Sequence, residues 1–115
     1  DDFYNLVVGL KTNLSIHKLA YGLREIEFEF GRSRDETRYS SRKLDLDLLL
    51  FGDEVNEKYH VPRSDITEFD FVLKPLSDIA PNFKHPVTGH TMTQLWNKFD
   101  SSREIIRQTP EQFRL

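Results

Sequence analysis

The sequence predicts one small domain that mixes strands with helices, and two observations carry that expectation. Runs 3–10 and 44–51 are rich in β-formers and apolar, whereas 16–30 and 92–99 repeat apolar residues every three or four positions. A chain of 115 residues suits a single domain, here taken as 1–115.

Phe3-Tyr4-Asn5-Leu6-Val7-Val8-Gly9-Leu10 reads as a strand covered on both faces, with Asn5 its one strongly polar side chain. A chain seldom opens inside a core element, so residues 1–115 are expected to be the recorded part of a longer chain. Ser15 is placed as a helix N-cap and Gly31 as the C-terminal stop. Between them Ile16, Leu19, Ala20, Leu23, Ile26 and Phe30 form an apolar stripe. Glu27 falls near the middle of that stripe, and a charge there needs a partner. The segment from Arg32 to Lys43 is polar, Arg-rich and aperiodic, as in a loop. Leu44-Asp45-Leu46-Asp47-Leu48-Leu49-Leu50-Phe51 begins in strict alternation and ends apolar, as a strand does, and Gly52-Asp53 is a turn. Val61-Pro62-Arg63-Ser64 is an extended connector. Phe71-Val72-Leu73-Lys74-Pro75-Leu76 is an apolar element stopped by its proline, and the segments around Pro81 and Pro86 are turn-rich. Met92, Leu95, Trp96 and Phe99 mark a last amphipathic helix, followed by a polar tail.

Composition removes several function classes. An apolar share of 37% supports one core, and no apolar run reaches the roughly 18–20 residues of a membrane span. With no cysteine there is no disulfide, thiolate metal site or catalytic thiol. No signal-peptide pattern opens the sequence, so a cytoplasmic protein is expected. A net charge of −3 argues against a general nucleic-acid coat, and no membrane partner is expected. Charge is uneven, however: 31–43 holds five basic residues (Arg32, Arg34, Arg38, Arg42, Lys43) against Asp35 and Glu36. Such an island suits a small polyanion.

The sharpest chemical feature is Asp45-Leu46-Asp47. In a strand, residues two apart share a face, so the leucines point one way and both carboxylates the other. Like charges on one face repel, and Asp is a poor strand former. A divalent cation resolves both problems, because Mg²⁺ takes one or two protein carboxylates and fills its shell from phosphates and water. The alternative is an amphipathic strand with a wet face. The arginines just upstream match phosphate oxygens with their planar forks; the alternative there is a solvated loop. No P-loop, Rossmann glycine motif, zinc-site histidine spacing or Ser-His-Asp set is present.

The run Arg42-Lys43-Leu44-Asp45-Leu46-Asp47-Leu48-Leu49-Leu50-Phe51-Gly52 closely resembles the signature of the 6-hydroxymethyl-7,8-dihydropterin pyrophosphokinases. Asn5-Leu6-Val7-Val8, Gly31-Arg32-x-Arg34, Phe71-Val72-Leu73-x-Pro75-Leu76 and Ile79-Ala80-Pro81 agree with it in order and spacing. The resemblance implies an α+β fold with a ferredoxin-like antiparallel sheet, of which this chain would be about the C-terminal two-thirds. It implies transfer of diphosphate from ATP to the pterin's hydroxymethyl group, with release of AMP, in folate biosynthesis. Asp45 and Asp47 would hold two Mg²⁺ ions. Arg32, Arg34, Arg38 and Arg42 would handle the ATP phosphates, with Glu27 and Arg63 on the nucleotide side. Phe3 and Phe71 would sandwich the pterin ring, and Asn5 would hydrogen-bond its edge.

The chain departs from the pattern at three places. Tyr39 replaces a common Trp, Arg63 a common His, and Phe69 an Arg. Phe69 cannot replace a guanidinium, which defines an alternative expectation: a catalytically weak or inactive pterin- and nucleotide-binding relative. A glycosyltransferase using Asp-x-Asp on a nucleotide sugar is a third, which would need a larger domain. The family's opening strand, first helix and second strand have no counterpart here. Because an inner strand leaves unpaired backbone groups when removed, that strand is expected from a longer chain or from a partner chain, as in a homodimer.

Overall fold

A computed structural model of the chain describes residues 5–35 and 44–102, with only the backbone at 33–35 and 101–102. Its elements in order are α1 (Ile16–Asp35), α2 (Asp65–Glu68), α3 (Asp70–Ile79) and α4 (Met92–Ser102).

Ser15 starts α1 as its sequence position predicts. Its Oγ accepts the N–H of Lys18 at 3.2 Å, and its carbonyl accepts the N–H of Leu19 at 2.9 Å. Ile16 and Leu19 are buried and Leu23 and Phe30 half-buried, whereas Ile26 is more than half exposed. The expected stop at Gly31 is corrected: α1 continues to Asp35. Glycine ends a helix when it turns left-handed, and Gly31 is not among the positive-φ residues of this chain. It stays helical at a cost of about 1 kcal/mol. Arg32 and Arg34 therefore sit on a helix and not in a loop.

The expected ferredoxin-like antiparallel sheet is also corrected. Among the described residues there is no strand, and β pairing is confined to two isolated antiparallel bridges, Asn56 with Val61 and Lys84 with Thr91. Alternation specifies which side chains face the core, but a strand exists only when a second backbone lies about 4.8 Å away to pair with it. In 44–50 the burial pattern still alternates, with Leu44, Leu46 and Leu48 half-buried and Asp45 and Asp47 exposed. A backbone bond in this segment runs from the N–H of Arg63 to the Leu49 carbonyl at 2.9 Å. Leu6, Val8 and Leu10 are largely exposed, while Val7 packs against the core.

The core gathers Ile66 of α2, Leu73 and Leu76 of α3, and Met92 and Leu95 of α4, against which Val7, Leu49, Leu50 and Phe83 pack. That burial explains a further correction. Pro75 does not stop its element but lies inside α3. An interior proline costs about 3 kcal/mol, and the buried leucines on either side, Leu73 and Leu76, each contributing about 1.5–3 kcal/mol, outweigh it. Thr91 and Gln94 cap α4 reciprocally: the N–H of Gln94 donates to Thr91 Oγ1 at 3.1 Å, and the N–H of Thr91 to Gln94 Oε1 at 2.8 Å.

The turns fall where glycine and proline place them. Gly52 (φ 56°) follows Phe51, whose carbonyl accepts the N–H of Glu54 at 3.0 Å. Gly89 (φ 78°) closes a turn whose N–H donates to the His85 carbonyl at 2.8 Å. The His85 ring is buried within this turn, and its Nδ1 accepts the N–H groups of Val87 and Thr88, each at 3.2 Å. No helix among the described residues is long and apolar enough to cross a membrane.

Two predictions follow from this packing. Leu73, 1% exposed, should cost about 2–5 kcal/mol of stability on truncation to Ala, measured by denaturant unfolding. Burial lowers the pKa of His85 below its ordinary value of 6.5. The unfolded chain therefore takes up this proton at higher pH than the folded one. The stability is fully present above that value and is lost as pH falls from it towards the folded pKa. Unfolding at about pH 8 and at about pH 5.5 should show a larger loss for the wild type than for His85→Gln; equal losses would refute the assignment.

Candidate active site

The Asp45-Leu46-Asp47 segment is held to α1 through the backbone of one residue, Leu46. The N–H of Leu46 donates to Glu27 Oε2 at 2.5 Å, and the Leu46 carbonyl accepts from Arg24 Nη2. Arg24 Nη1 lies 3.3 Å from Glu27 Oε1, so one ion pair grips both sides of the residue between the two aspartates. The charge that the sequence placed on the apolar stripe has thus found two partners. Arg24 carried no motif of its own; its signal was its position three residues before Glu27 on the same helix face.

Asp47 also meets Arg63, whose Nη2 lies 3.8 Å from Asp47 Oδ1 and whose Nε lies 3.5 Å from Asp65 Oδ1. Both are charge contacts without hydrogen-bond alignment, and Arg63 Nε is buried with no hydrogen-bond partner. The guanidinium is held in place by charge.

A cleft of about 480 Å³ opens here, lined among others by His17, Tyr21, Arg24, Asp47, Lys58 and Arg63. The Nδ1 of His17 and the Tyr59 hydroxyl, 3.2 Å apart, join α1 to the 58–63 segment across it. A larger cleft of about 790 Å³ lies on the other side of Arg63, towards Asp65 and His85, but neither aspartate of the pair lines it. The chemistry favours the smaller cleft, where three cationic side chains and a carboxylate converge. Such a wall suits a phosphorylated ligand accompanied by a cation. Lys58 and Tyr59 were not legible as site residues, since no spacing links them to the Asp pair.

Asp45 and Asp47 are exposed carboxylates, and no cluster of three or more His, Asp or Glu among the described residues is arranged to hold a metal. The pair fits a Mg²⁺ that takes its remaining ligands from phosphate and water, and does not fit a cage made wholly of protein.

The other sequence-derived candidates are dispersed. Arg32 pairs with Glu29 of its own helix at 3.3 Å. Arg34 lies on α1 with its side chain undescribed, and Phe3, Arg38 and Arg42 lie outside the described residues. Asn5 is exposed. Phe71, near the start of α3, stacks on Phe69 with ring centroids 5.0 Å apart.

If the grip on Leu46 positions the segment, Glu27→Ala should lower stability by about 1–3 kcal/mol, because it strands a partly buried N–H. Arg24→Ala should cost less, about 0.5–1.5 kcal/mol, since its exposed ion pair adds little. The double variant should lose less than the sum of the two. Strict additivity in denaturant titrations would show that the two side chains act separately.

The sequence model of the 7,8-dihydro-6-hydroxymethylpterin-pyrophosphokinase family matches residues 1–81. The chain is 37% identical over 111 residues to a 2-amino-4-hydroxy-6-hydroxymethyldihydropteridine pyrophosphokinase of Haemophilus influenzae, covering 95% of this chain and 68% of that protein. It is 42% identical over 90 residues to the pyrophosphokinase of the same name from Pseudomonas aeruginosa, covering 76% and 55%. A folic acid synthesis protein of Dictyostelium discoideum is 35% identical over 97 residues, covering 83% of this chain and 15% of its own length. The chain spans about half to two-thirds of the length of the two bacterial relatives. With the family model matching well over half of the chain, and with a relative 37% identical over 95% of it, this chain belongs to the 7,8-dihydro-6-hydroxymethylpterin-pyrophosphokinase family.

Proposed function

We propose that this chain performs the reaction its family is named for, as a cytoplasmic step of folate biosynthesis. The β,γ-diphosphate of ATP passes to the hydroxymethyl oxygen of 6-hydroxymethyl-7,8-dihydropterin. The pterin oxygen bonds to the β-phosphorus, the bond from that phosphorus to the α,β-bridging oxygen breaks, and its electron pair leaves with AMP. The hydroxyl proton goes to solvent. The observation that carries this reading is the Asp45/Asp47 pair, fixed by Glu27 and Arg24 beside Arg63 and a cationic cleft.

Phosphoryl-type transfer needs positioning and charge neutralisation more than covalent chemistry from the protein. Asp45 and Asp47 are assigned two Mg²⁺ ions, which when bound neutralise the ATP phosphates. Arg63, whose Nη2 lies 3.8 Å from Asp47 Oδ1, is assigned to the nucleotide phosphates. Arg32 is held only by an exposed pair with Glu29, which costs little to break. It is assigned to the phosphates with Arg34, Arg38 and Arg42. Glu27 acts on the nucleotide side through the Leu46 peptide. Phe3, Asn5 and Phe71 are assigned to the pterin.

A second reading is binding without turnover. It is favoured by Phe69, an apolar ring where the family pattern carries a guanidinium.

Asp45→Ala and Asp47→Ala should each reduce AMP release from ATP and pterin by on the order of 10²–10³-fold, with unchanged thermal unfolding. AMP release at the wild-type rate from either variant sinks the proposal. Calorimetric binding of pterin and a non-hydrolysable ATP analogue, with no AMP formed by the wild type, establishes the second reading.

A further inference from the structure

We infer that Phe69 is a positioning residue for the flat pterin substrate, acting by backing the ring of Phe71. The inference rests on the reading that Phe71 stacks against the pterin.

Phe69 breaks two local rules at once. It occupies the N-cap of α3, where Ser, Thr, Asp or Asn would satisfy a helix N–H, and it makes no side-chain cap bond. Its ring is also 39% exposed, although the core beneath α3 is built from Leu73 and Leu76. Phe71 is 46% exposed. Residues that break local rules without a packing gain are where function is to be sought.

The backbone around Phe69 is tightly held. Its N–H donates to the Asp65 carbonyl at 3.0 Å, and its own carbonyl accepts the N–H groups of Val72 at 3.1 Å and Leu73 at 3.0 Å. With φ −127° and ψ 127° it is extended between α2 and α3, and this conformation turns its ring back onto that of Phe71. The planes differ by 24°. A near-parallel stack covers one face of Phe71 and limits its rotation about χ2, so the uncovered face is presented in a fixed plane. A planar heteroaromatic ring gains most from a surface whose orientation is already set, since no ring freedom is lost on binding. A guanidinium at position 69 would serve phosphate; a phenyl ring there serves the pterin.

Four variants of the intact protein test this: Phe69→Ala, Phe69→Leu, Phe69→Tyr and, in parallel, Phe71→Ala. Pterin affinity is read by calorimetry in the presence of a non-hydrolysable ATP analogue, and KM is measured for pterin and ATP separately. Thermal unfolding checks that each variant is folded. Phe69→Ala and Phe69→Leu should weaken pterin binding roughly 3- to 10-fold while leaving KM for ATP within about twofold. Phe69→Tyr, which keeps the ring, should restore affinity. Equal effects on both substrates, no effect on either, or full activity in Phe69→Leu overturns the inference. Phe71→Ala separates the two levels. If it weakens pterin binding and Phe69→Ala does not, the positioning role fails alone. If Phe71→Ala itself leaves pterin binding unchanged, the assignment of Phe71 fails and the inference with it.

Discussion

The site depends on how the backbone of a single residue is held. The Leu46 N–H and carbonyl are taken up by the Glu27 carboxylate and the Arg24 guanidinium, which also pair with each other. In a sheet, neighbouring backbone would bond these groups; here, among the described residues, side chains of α1 do it. Charge-assisted hydrogen bonds are shorter and stronger than neutral ones, so two of them can fix a segment that has no ladder. The consequence is register. With the side-chain period at two, a slip of one residue would turn Asp45 and Asp47 inward and the leucines out. The grip on the intervening residue selects the register that leaves both carboxylates exposed.

The grip rests on α1, which is anchored at its start. Ser15 caps the first turn, and Ile16 and Leu19 are buried there. Further along, Arg24 and Glu27 use the same helix face for polar work.

A second support is the cluster of α2, α3 and α4. It buries Ile66, Leu73 and Met92 almost completely and carries Arg63 and Phe69 at the edges of its first elements. Arg63 leaves the connector before α2 and reaches both Asp47 and Asp65, so the packed core and the Asp segment are joined by charge. Neither contact is a good hydrogen bond. The scaffold is rigid where apolar side chains fill it, and adjustable where only loosely aligned charges meet.

The sequence by itself placed the chain in its family. Alternating Leu and Asp, the basic residues before them and the ordered flanking motifs pointed to a pyrophosphokinase, and the family match and relatives agree. Ser15, the turns at Gly52 and Gly89, and the helix from Met92 were legible for a local reason: capping and positive φ are properties of a few adjacent residues. Tertiary structure decided the rest. Whether 44–51 pairs as a strand depends on a second backbone, not on its own pattern, and the expected sheet is absent from the described residues. Gly31 and Pro75 stay inside helices because neighbouring packing and helix continuation outweigh penalties of about 1 and 3 kcal/mol. Arg24, Lys58 and Tyr59 became site residues only when α1 and the 58–63 segment met across the cleft, since contact between residues distant in sequence is set by the packing of whole elements.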